Sequence, residues 1–149
     1  EDMVAVALSG PQRWVVAAAP NYLARHGKPD TPEDLGNHTC LQLLLGDNSR
    51  FPRELGTGPD QKSYRVPGHI TIQDTATTIS AAKAGLGLAY LLESRIAEEL
   101  ANGQLEIVLE DYASTDDPFH MYYSSRHNNH PGLRGLINII RKQNGLSRI

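Results

Sequence analysis

The chain has 149 residues, enough for one domain with a core of its own, and its 14 basic and 17 acidic side chains give a formal net charge of −3. This charge shows no basic excess of the kind that DNA-binding domains carry, so we expect these residues not to hold DNA by themselves. Cys40 is the only cysteine, which excludes an internal disulfide and fits a reducing compartment, and the sequence has neither an apolar run that would span a bilayer nor the start of a signal peptide.

The first half of the chain is predicted to consist of strands separated by short helical turns. Apolar and β-branched runs favour strands, while Pro20 and the Thr31-Pro32 pair are typical helix-start signals. The first strand begins abruptly at the start of the sequence, so we expect the chain to be a piece of a longer protein. The predicted elements are strand Met3–Leu8, strand Trp14–Ala18, helix Asn21–His26, a helix start at Thr31, strand Cys40–Leu45, and short strands Phe51–Leu55, Lys62–Val66 and His69–Ile72.

The stretch from Gln73 to Leu92 is the clearest unit of the sequence. Asp74 is a good N-cap for the helix that follows, because its carboxylate can accept the free backbone N–H groups of the first turn. Gly85 stands where a helix needs a left-handed residue to stop, and the apolar run Leu88–Leu92 is typical of a buried strand. A helix start and a glycine turn can bind small polar ligands, although this segment alone is more typical of an ordinary helix–strand unit.

The remainder continues the alternation of strands and helices. The predicted elements are a helix from Glu93 to Ala101 that buries Ile96, Ala97 and Leu100, strand Leu105–Leu109, a polar connection Asp111–Pro118, strand Phe119–Ser125 and a last helix from Pro131. Because strands and helices alternate along the chain, we predict an α/β fold with a mostly parallel or mixed sheet.

Candidate catalytic groups are few. His127 and His130 could be metal ligands, but they stand in a polar turn with no third ligand nearby, so we interpret them as exposed turn residues. Cys40 lies in an apolar strand, where a thiol acts as a small core side chain. Neither the nucleophile-elbow pattern nor the phosphate-loop pattern occurs, and the adjacent acidic pairs are interpreted as solvated surface. We therefore expect no enzyme activity, no catalytic residue, no metal site and no cofactor.

Nearly the whole chain carries an ordered set of segments that recurs in one known family. The segments are Trp14–Pro29, Thr31–Leu35, His38–Leu41, Val66–Gly68, Gln73-Asp74, Ala82–Ala89, Gly103–Leu105, and the tail from Met121–Tyr123 to Pro131–Arg134. No single segment is specific, but in this order they resemble the effector-binding domain of LysR-type transcriptional regulators.

The resemblance implies a periplasmic-binding-protein-like α/β fold, in which two subdomains hold a small-molecule effector in the cleft between them. It implies that residues 1–12 are a crossover strand from the first subdomain, that 13–111 are the effector-binding subdomain II, and that 112–149 are the return crossover with the closing strand and helix of subdomain I. The family's helix-turn-helix is absent from this chain, so we expect an N-terminally truncated regulator that reaches DNA only through that absent domain.

The implied function is that of a ligand-sensing regulatory domain of a bacterial transcription factor, cytoplasmic and without membrane contact. The alternative is a periplasmic-type solute-binding protein of a transport system, which has a similar fold. A helix-turn-helix upstream would decide for the first function, and a secretory signal there would decide for the second.

The second subdomain's share of the effector site is predicted from strand ends and a helix start. The nine predicted residues are Ala18, Ala19 and Pro20 at a strand end, Gln73, Asp74 and Thr75 at the helix start, and Leu86, Gly87 and Leu88 in the glycine turn. Asp74 also caps its helix, so its direct contact with the effector is the weakest part of this prediction.

The C-terminal segment is predicted to need a partner. Its apolar residues are Phe119, Met121 and Tyr123 on one strand face, and Leu133, Leu136, Ile137 and Ile140 on a helix stripe. Exposed apolar area of that size generally finds a covering surface, and an unpaired edge of the strand would favour pairing with another chain. We therefore expect a homo-oligomer, either a side-by-side dimer or a swapped arrangement, and the alternative is that the tail folds back onto the second subdomain.

Overall fold

The structure is a computed structural model that describes residues 2–127 and 130–149. The chain divides into two compact units. The larger unit is Arg13–Thr115, and the smaller unit consists of the described residues up to Gln12 together with those from Asp116 onward. The predicted polar turn between His127 and His130 includes two positions that lie outside the described residues.

The central sheet of the larger unit is built around one strand, β2 (Gln12–Ala18). Strand β7 (Ala89–Leu92) and strand β8 (Glu106–Val108) both pair with β2 in antiparallel fashion, with Trp14 opposite Leu92 and Val16 opposite Val108. A further strand, β9 (Ser114–Asp116), also pairs with β2. The segment predicted as a polar connection therefore contains a strand, and both Ala113 and Ser114 are buried there.

A short parallel set of strands extends this sheet. Strand β3 (Gln42–Leu43) pairs in parallel with β6 (Thr71–Ile72), and a parallel bridge joins Cys40 to Leu88 at the start of β7. Strands β4 (Arg53–Leu55) and β5 (Lys62–Tyr64) form an antiparallel hairpin beside them. The sheet is thus mixed, which confirms the predicted α/β class, although its central pairs are antiparallel.

The helices of the larger unit are short. They are α1 (Pro20–His26), a 3₁₀ helix at Pro32–Asn37, α2 (Thr75–Lys83) and α3 (Ala97–Ala101), with single 3₁₀ turns at Gly58–Asp60, Glu93–Arg95 and Glu110–Tyr112. The single helix predicted for Glu93–Ala101 is wrong. It breaks at Ile96, whose φ of −121° and ψ of 18° are not helical, because that side chain turns fully into the core while Ala97 stays exposed.

The core of the larger unit lies on both faces of β2, as strand alternation requires. Val16 and Ala18 pack into one cluster with Tyr22, Leu35 and Leu88, among others. Val15 and Ala17 face the opposite cluster, which α2 covers through Ala82. Both faces are therefore closed by residues of this unit alone.

The smaller unit is a strand pair and a helix. Strand β1 (Met3–Ala7) pairs antiparallel with β10 (His120–Ser124), and a 3₁₀ turn at Ser125–His127 precedes helix α4 (Pro131–Gln143). Asn144 Nδ2 donates to Leu8 O at 3.0 Å, which ties the end of α4 to the strand pair. The predicted apolar stripe is only partly buried: Ile137 is fully enclosed, whereas Leu136 is exposed because it lies at the rim of that stripe.

Candidate functional site

Two of the three predicted site segments meet at one end of the sheet. The register of β2 and β7 ends with Ala17 opposite Ala89, and the next residues outward are Ala18 and Leu88. Leu88 donates its backbone N–H to Thr39 O at 2.9 Å and accepts one from Leu41 at 2.9 Å. A Cβ on Gly87 would lie 2.5 Å from Thr39 O, so only glycine allows this close approach of two backbones.

The accessible part of this end is limited. Ala18, Ala19, Gly87 and Leu88 are buried, whereas Pro20 and Leu86 are exposed. Gly85 has φ of 75°, which confirms the predicted left-handed stop after α2. Arg25 Nη2 donates to Gly85 O at 3.1 Å, so the turn is held against α1.

The third segment, Gln73–Thr75, begins α2. Asp74 caps the helix as predicted, and its carboxylate accepts the Thr77 N–H at 2.8 Å. That hydrogen bond lowers the pKa of Asp74 below its usual value, so the side chain is an ionised cap at neutral pH. Gln73 and Asp74 are exposed and Thr75 is half-buried.

The register of the parallel strands separates this third segment from the other two. Leu88 lies beside Cys40, whereas Ile72 lies beside Leu43. Leu43 follows Cys40 by three residues along the same extended segment. At about 3.3 Å per residue, these levels are about 10 Å apart, and Gln73–Thr75 continue away from Leu88. The nine residues therefore form two groups at opposite ends of the sheet, and their contact with a ligand stays a prediction.

Sequence reasoning missed a cavity of about 430 Å³ in the larger unit. It lies against β3 and the β4–β5 hairpin, and its lining includes Gln42, Arg50, Phe51, Arg53, Tyr64 and Arg65. This volume falls within the range of small-molecule sites. No acidic residue is among the side chains that line it.

Arg53 is the unusual member of this lining, because it is 97% buried. Its Nη2 donates to Leu41 O at 2.8 Å and to Leu88 O at 3.0 Å. Its Nη1 is buried without a hydrogen-bond partner among the described residues. Burial also lowers the pKa of the guanidinium from its ordinary value, although an arginine side chain stays charged in a protein.

An aromatic cluster borders the cavity through Phe51. The ring of Trp14 lies 5.0 Å from the ring of Phe51 and 5.1 Å from that of Tyr90, measured between centroids. Tyr90 donates its hydroxyl to Glu54 O at 2.8 Å, which anchors the cluster to β4. The chain's only tryptophan therefore stacks on Tyr90 and lies against Phe51, which lines the cavity.

The sequence contains a signal that the side chain of Arg53 is buried. Phe51, Arg53 and Leu55 alternate along a predicted strand, which places all three on one face. Phe51 and Leu55 are apolar, so that face points inward and carries Arg53 with it. The charge-rich surroundings concealed this pattern.

Residues 2–127 and 130–149 contain no cluster of three metal-ligating side chains. No helix in that part of the chain is both long and apolar enough to cross a membrane.

The fold matches solved regulatory domains. The regulatory domain of CrgA, a LysR-type transcriptional regulator from Neisseria meningitidis, superposes with a TM-score of 0.78 at 25% identity, covering 95% of this chain and 68% of that one. The full-length virulence activator AphB from Vibrio cholerae shares the fold, with a TM-score of 0.74 at 21% identity, over 97% of this chain and 49% of that one. The chain thus has the periplasmic-binding-protein-like fold of such regulatory domains.

Sequence comparison gives the family. The family model described as the LysR substrate binding domain matches residues 1–145. The HTH-type transcriptional regulator YcaN of Escherichia coli K12 is 35% identical over 141 residues, and a putative transcriptional regulator of Pseudomonas aeruginosa is 30% identical over 142; each match covers 95% of this chain and 46% of the relative. The chain belongs to the LysR substrate-binding domain family, and the resemblance inferred from the sequence is confirmed.

Membership in this family makes the chain a ligand-sensing regulatory domain, and a solute-binding protein of a transport system is not favoured. The chain spans about half the length of the curated relatives it matches.

Proposed function

We propose that this chain senses a small-molecule effector on behalf of a transcription factor that binds DNA through a helix-turn-helix outside these residues. The observation that carries the proposal is the family match over residues 1–145, supported by relatives whose names describe HTH-type regulators. The net charge of −3 also supports it, because DNA contact then falls to another part of the protein.

Within this proposal, residues 13–111 of the larger unit are the effector-binding subdomain. Residues 1–12 are a crossover strand from the other subdomain, and residues 112–149 are the return crossover with the closing strand and helix of that subdomain. The two predicted groups of contact residues lie at opposite ends of the sheet, so one of them holds the effector. Gln73 and Thr75 offer an amide and a hydroxyl, whereas the turn around Gly87 offers backbone groups and little exposed surface. We therefore favour the group at the start of α2.

The proposal includes three further statements about the protein. It is not an enzyme, because the family and its named relatives are regulators. It works in the cytoplasm without a cofactor, as an effector-responsive transcription factor would. It associates with copies of itself, since Phe119, Tyr122 and Leu136 of the smaller unit are exposed large apolar residues.

The test is a thermal-shift screen of a metabolite library against the full-length protein. We expect at least one metabolite to raise the melting temperature in a saturable way and to change affinity for operator DNA. Gln73→Ala should then weaken the shift, while Pro20→Ala, an exposed change at the other end of the sheet, should leave it unaltered. A full-length protein that no metabolite stabilises, and whose DNA affinity no metabolite changes, would contradict the proposed function.

A further inference from the structure

We propose that the cavity beside Arg53 is a binding site for a small organic carboxylate, separate from the nine predicted effector contacts. The proposal rests on a buried cation without a counter-charge, on the chemistry of the residues around it, and on the size of the cavity. It does not depend on the identity of the effector or on DNA binding.

The first observation is the uncompensated charge of Arg53. Arginine is almost never fully buried unless it is paired with an acid, because desolvating its charge is costly. The ion pairs found among the described residues involve Arg13, Lys28 and Lys83, and none of them reaches Arg53. The carbonyls of Leu41 and Leu88 satisfy Nη2 but supply no negative charge.

The second observation is the unsatisfied Nη1 atom. Within the described part of the larger unit, it is the one buried side-chain nitrogen or oxygen that has no hydrogen-bond partner. Buried polar groups are nearly always satisfied, and an exception calls for an explanation. Because Arg53 lines the cavity, an anion bound there would supply the missing counter-charge, since guanidinium and carboxylate match in planar geometry.

The third observation is the composition of the walls. Arg50 and Arg65 are exposed residues of the lining, and they add positive charge without any acid to offset it. Phe51, Pro52 and Val66 provide apolar surface beside these cations. A ligand with one anionic group and a small apolar body fits both features, and about 430 Å³ accommodates a molecule with a single ring. Inorganic phosphate would use the cations only.

Trp14 makes this proposal measurable without a label. It is the only tryptophan of the chain, and its ring lies 5.0 Å from Phe51, which lines the cavity. The probes are benzoate, phenylacetate and hexanoate, each titrated beside its uncharged amide, with inorganic phosphate as a further control. We expect at least one acid to change Trp14 fluorescence saturably and to bind about tenfold or more tightly than its amide, because the amide cannot pair with the guanidinium.

Three variants locate the binding. Arg53→Met removes the charge but keeps an apolar stem, and it should lower the affinity for the acid by about tenfold or more. The double variant Arg50→Gln with Arg65→Gln alters only exposed residues, so it folds normally. It should lower the affinity for the same acid by a few fold. Arg95→Gln is the matched control, because Arg95 is an exposed arginine of the larger unit outside the cavity lining.

The outcomes are decisive even if Arg53→Met fails to fold, because the double variant then carries the test. The proposal is overturned if no acid binds more tightly than its amide, or if phosphate binds as tightly as the best acid. It is also overturned if Arg95→Gln lowers the affinity for the acid as much as the double variant does.

Discussion

The two units of this protein differ in how completely they bury their own apolar residues. The larger unit encloses both faces of β2, with Val15, Val16, Leu35 and Leu88 at 1% exposure or less. In the described part of the smaller unit, Ile137 is the one large apolar side chain that is fully buried. The large side chains that stay exposed there are Met3, Phe119, Tyr122, Leu136, Ile139 and Ile149.

This difference teaches where folding stability resides. Complete burial of one large apolar side chain contributes about 1.5–3 kcal/mol, so the larger unit has most of the driving force for folding within itself. The smaller unit leaves comparable side chains in water, and a surface that covers them would add to its stability. Changes in the larger unit should therefore alter the free energy of unfolding, whereas changes on the smaller unit's exposed face should alter association.

The largest expected effect comes from the core of the larger unit. Leu88→Ala removes a fully buried side chain and leaves a cavity, so it should lower the free energy of unfolding by about 2–5 kcal/mol. Leu86→Ala is the matched control two residues away, because Leu86 is 48% exposed, and it should cost about 0.5 kcal/mol or less. Urea unfolding followed by Trp14 fluorescence measures both, and equal losses would contradict the assignment of the core to this face.

The second prediction concerns the turn after α2. Gly85→Val should destabilise the protein by about 1–2 kcal/mol or more, because a β-branched residue is strained at positive φ. A Cβ there would also lie 2.5 Å from Asn21 Oδ1, which must move. Gly103 has the same φ of 75° but nothing within 4 Å, so Gly103→Val isolates the backbone strain. The Gly85 variant should lose more stability in urea; a greater loss at Gly103 would show that packing at the turn is unimportant.

A smaller effect depends on pH. The Thr77 N–H lowers the folded-state pKa of Asp74, so the ionised cap stabilises the fold above the ordinary aspartate pKa of about 3.9, and this contribution is lost as pH falls through the lower folded-state value. Asp74→Ala should be less stable than the wild type at pH 6, and the gap should shrink toward pH 3. Asp74→Asn keeps a capping oxygen that does not titrate, so it should retain stability across this range. If the difference in free energy of unfolding between wild type and Asp74→Ala stays constant with pH, the stabilising role of the ionised cap is contradicted.

The smallest change in stability is expected on the smaller unit. Leu136→Ser combined with Ile139→Ser alters two exposed positions of α4, and the free energy of unfolding of the isolated chain should shift by about 0.5 kcal/mol or less per substitution. The same variant should reduce self-association, which sedimentation velocity at tens of micromolar measures. If wild type and variant sediment alike as monomers, the expected association is wrong.

Local signals predicted much of the fold. The Asp74 cap, the Gly85 stop and the strand at Trp14–Ala18 follow from short-range rules, and the structure confirms them. Sequence reasoning failed where burial overrides local preference. At Ile96 the predicted helix is interrupted, and the side chain of this residue is fully buried in the core. It failed similarly at β9, where a polar segment pairs with the central strand.

The candidate site was harder to predict than the fold. Strand ends can be located from sequence, but which ends share one edge depends on register, and register places Leu88 and Gln73 at opposite ends of the sheet. Arg53 was missed because a charged residue is normally assigned to the surface. The alternation of Phe51, Arg53 and Leu55 indicates instead that Arg53 is buried, but the charged residues around it obscure this pattern.

Hydrogen exchange at two protein concentrations tests the contrast between the units most directly. At about 1 µM and about 100 µM, peptides from β2, β7 and α2 should show the same strong protection, because the larger unit closes its own core. Peptides from β10 and α4 should gain protection at the higher concentration, as association covers Phe119, Tyr122 and Leu136. Protection of β10 and α4 that is equally strong at both concentrations would contradict the account, because the smaller unit would then be stable without a partner.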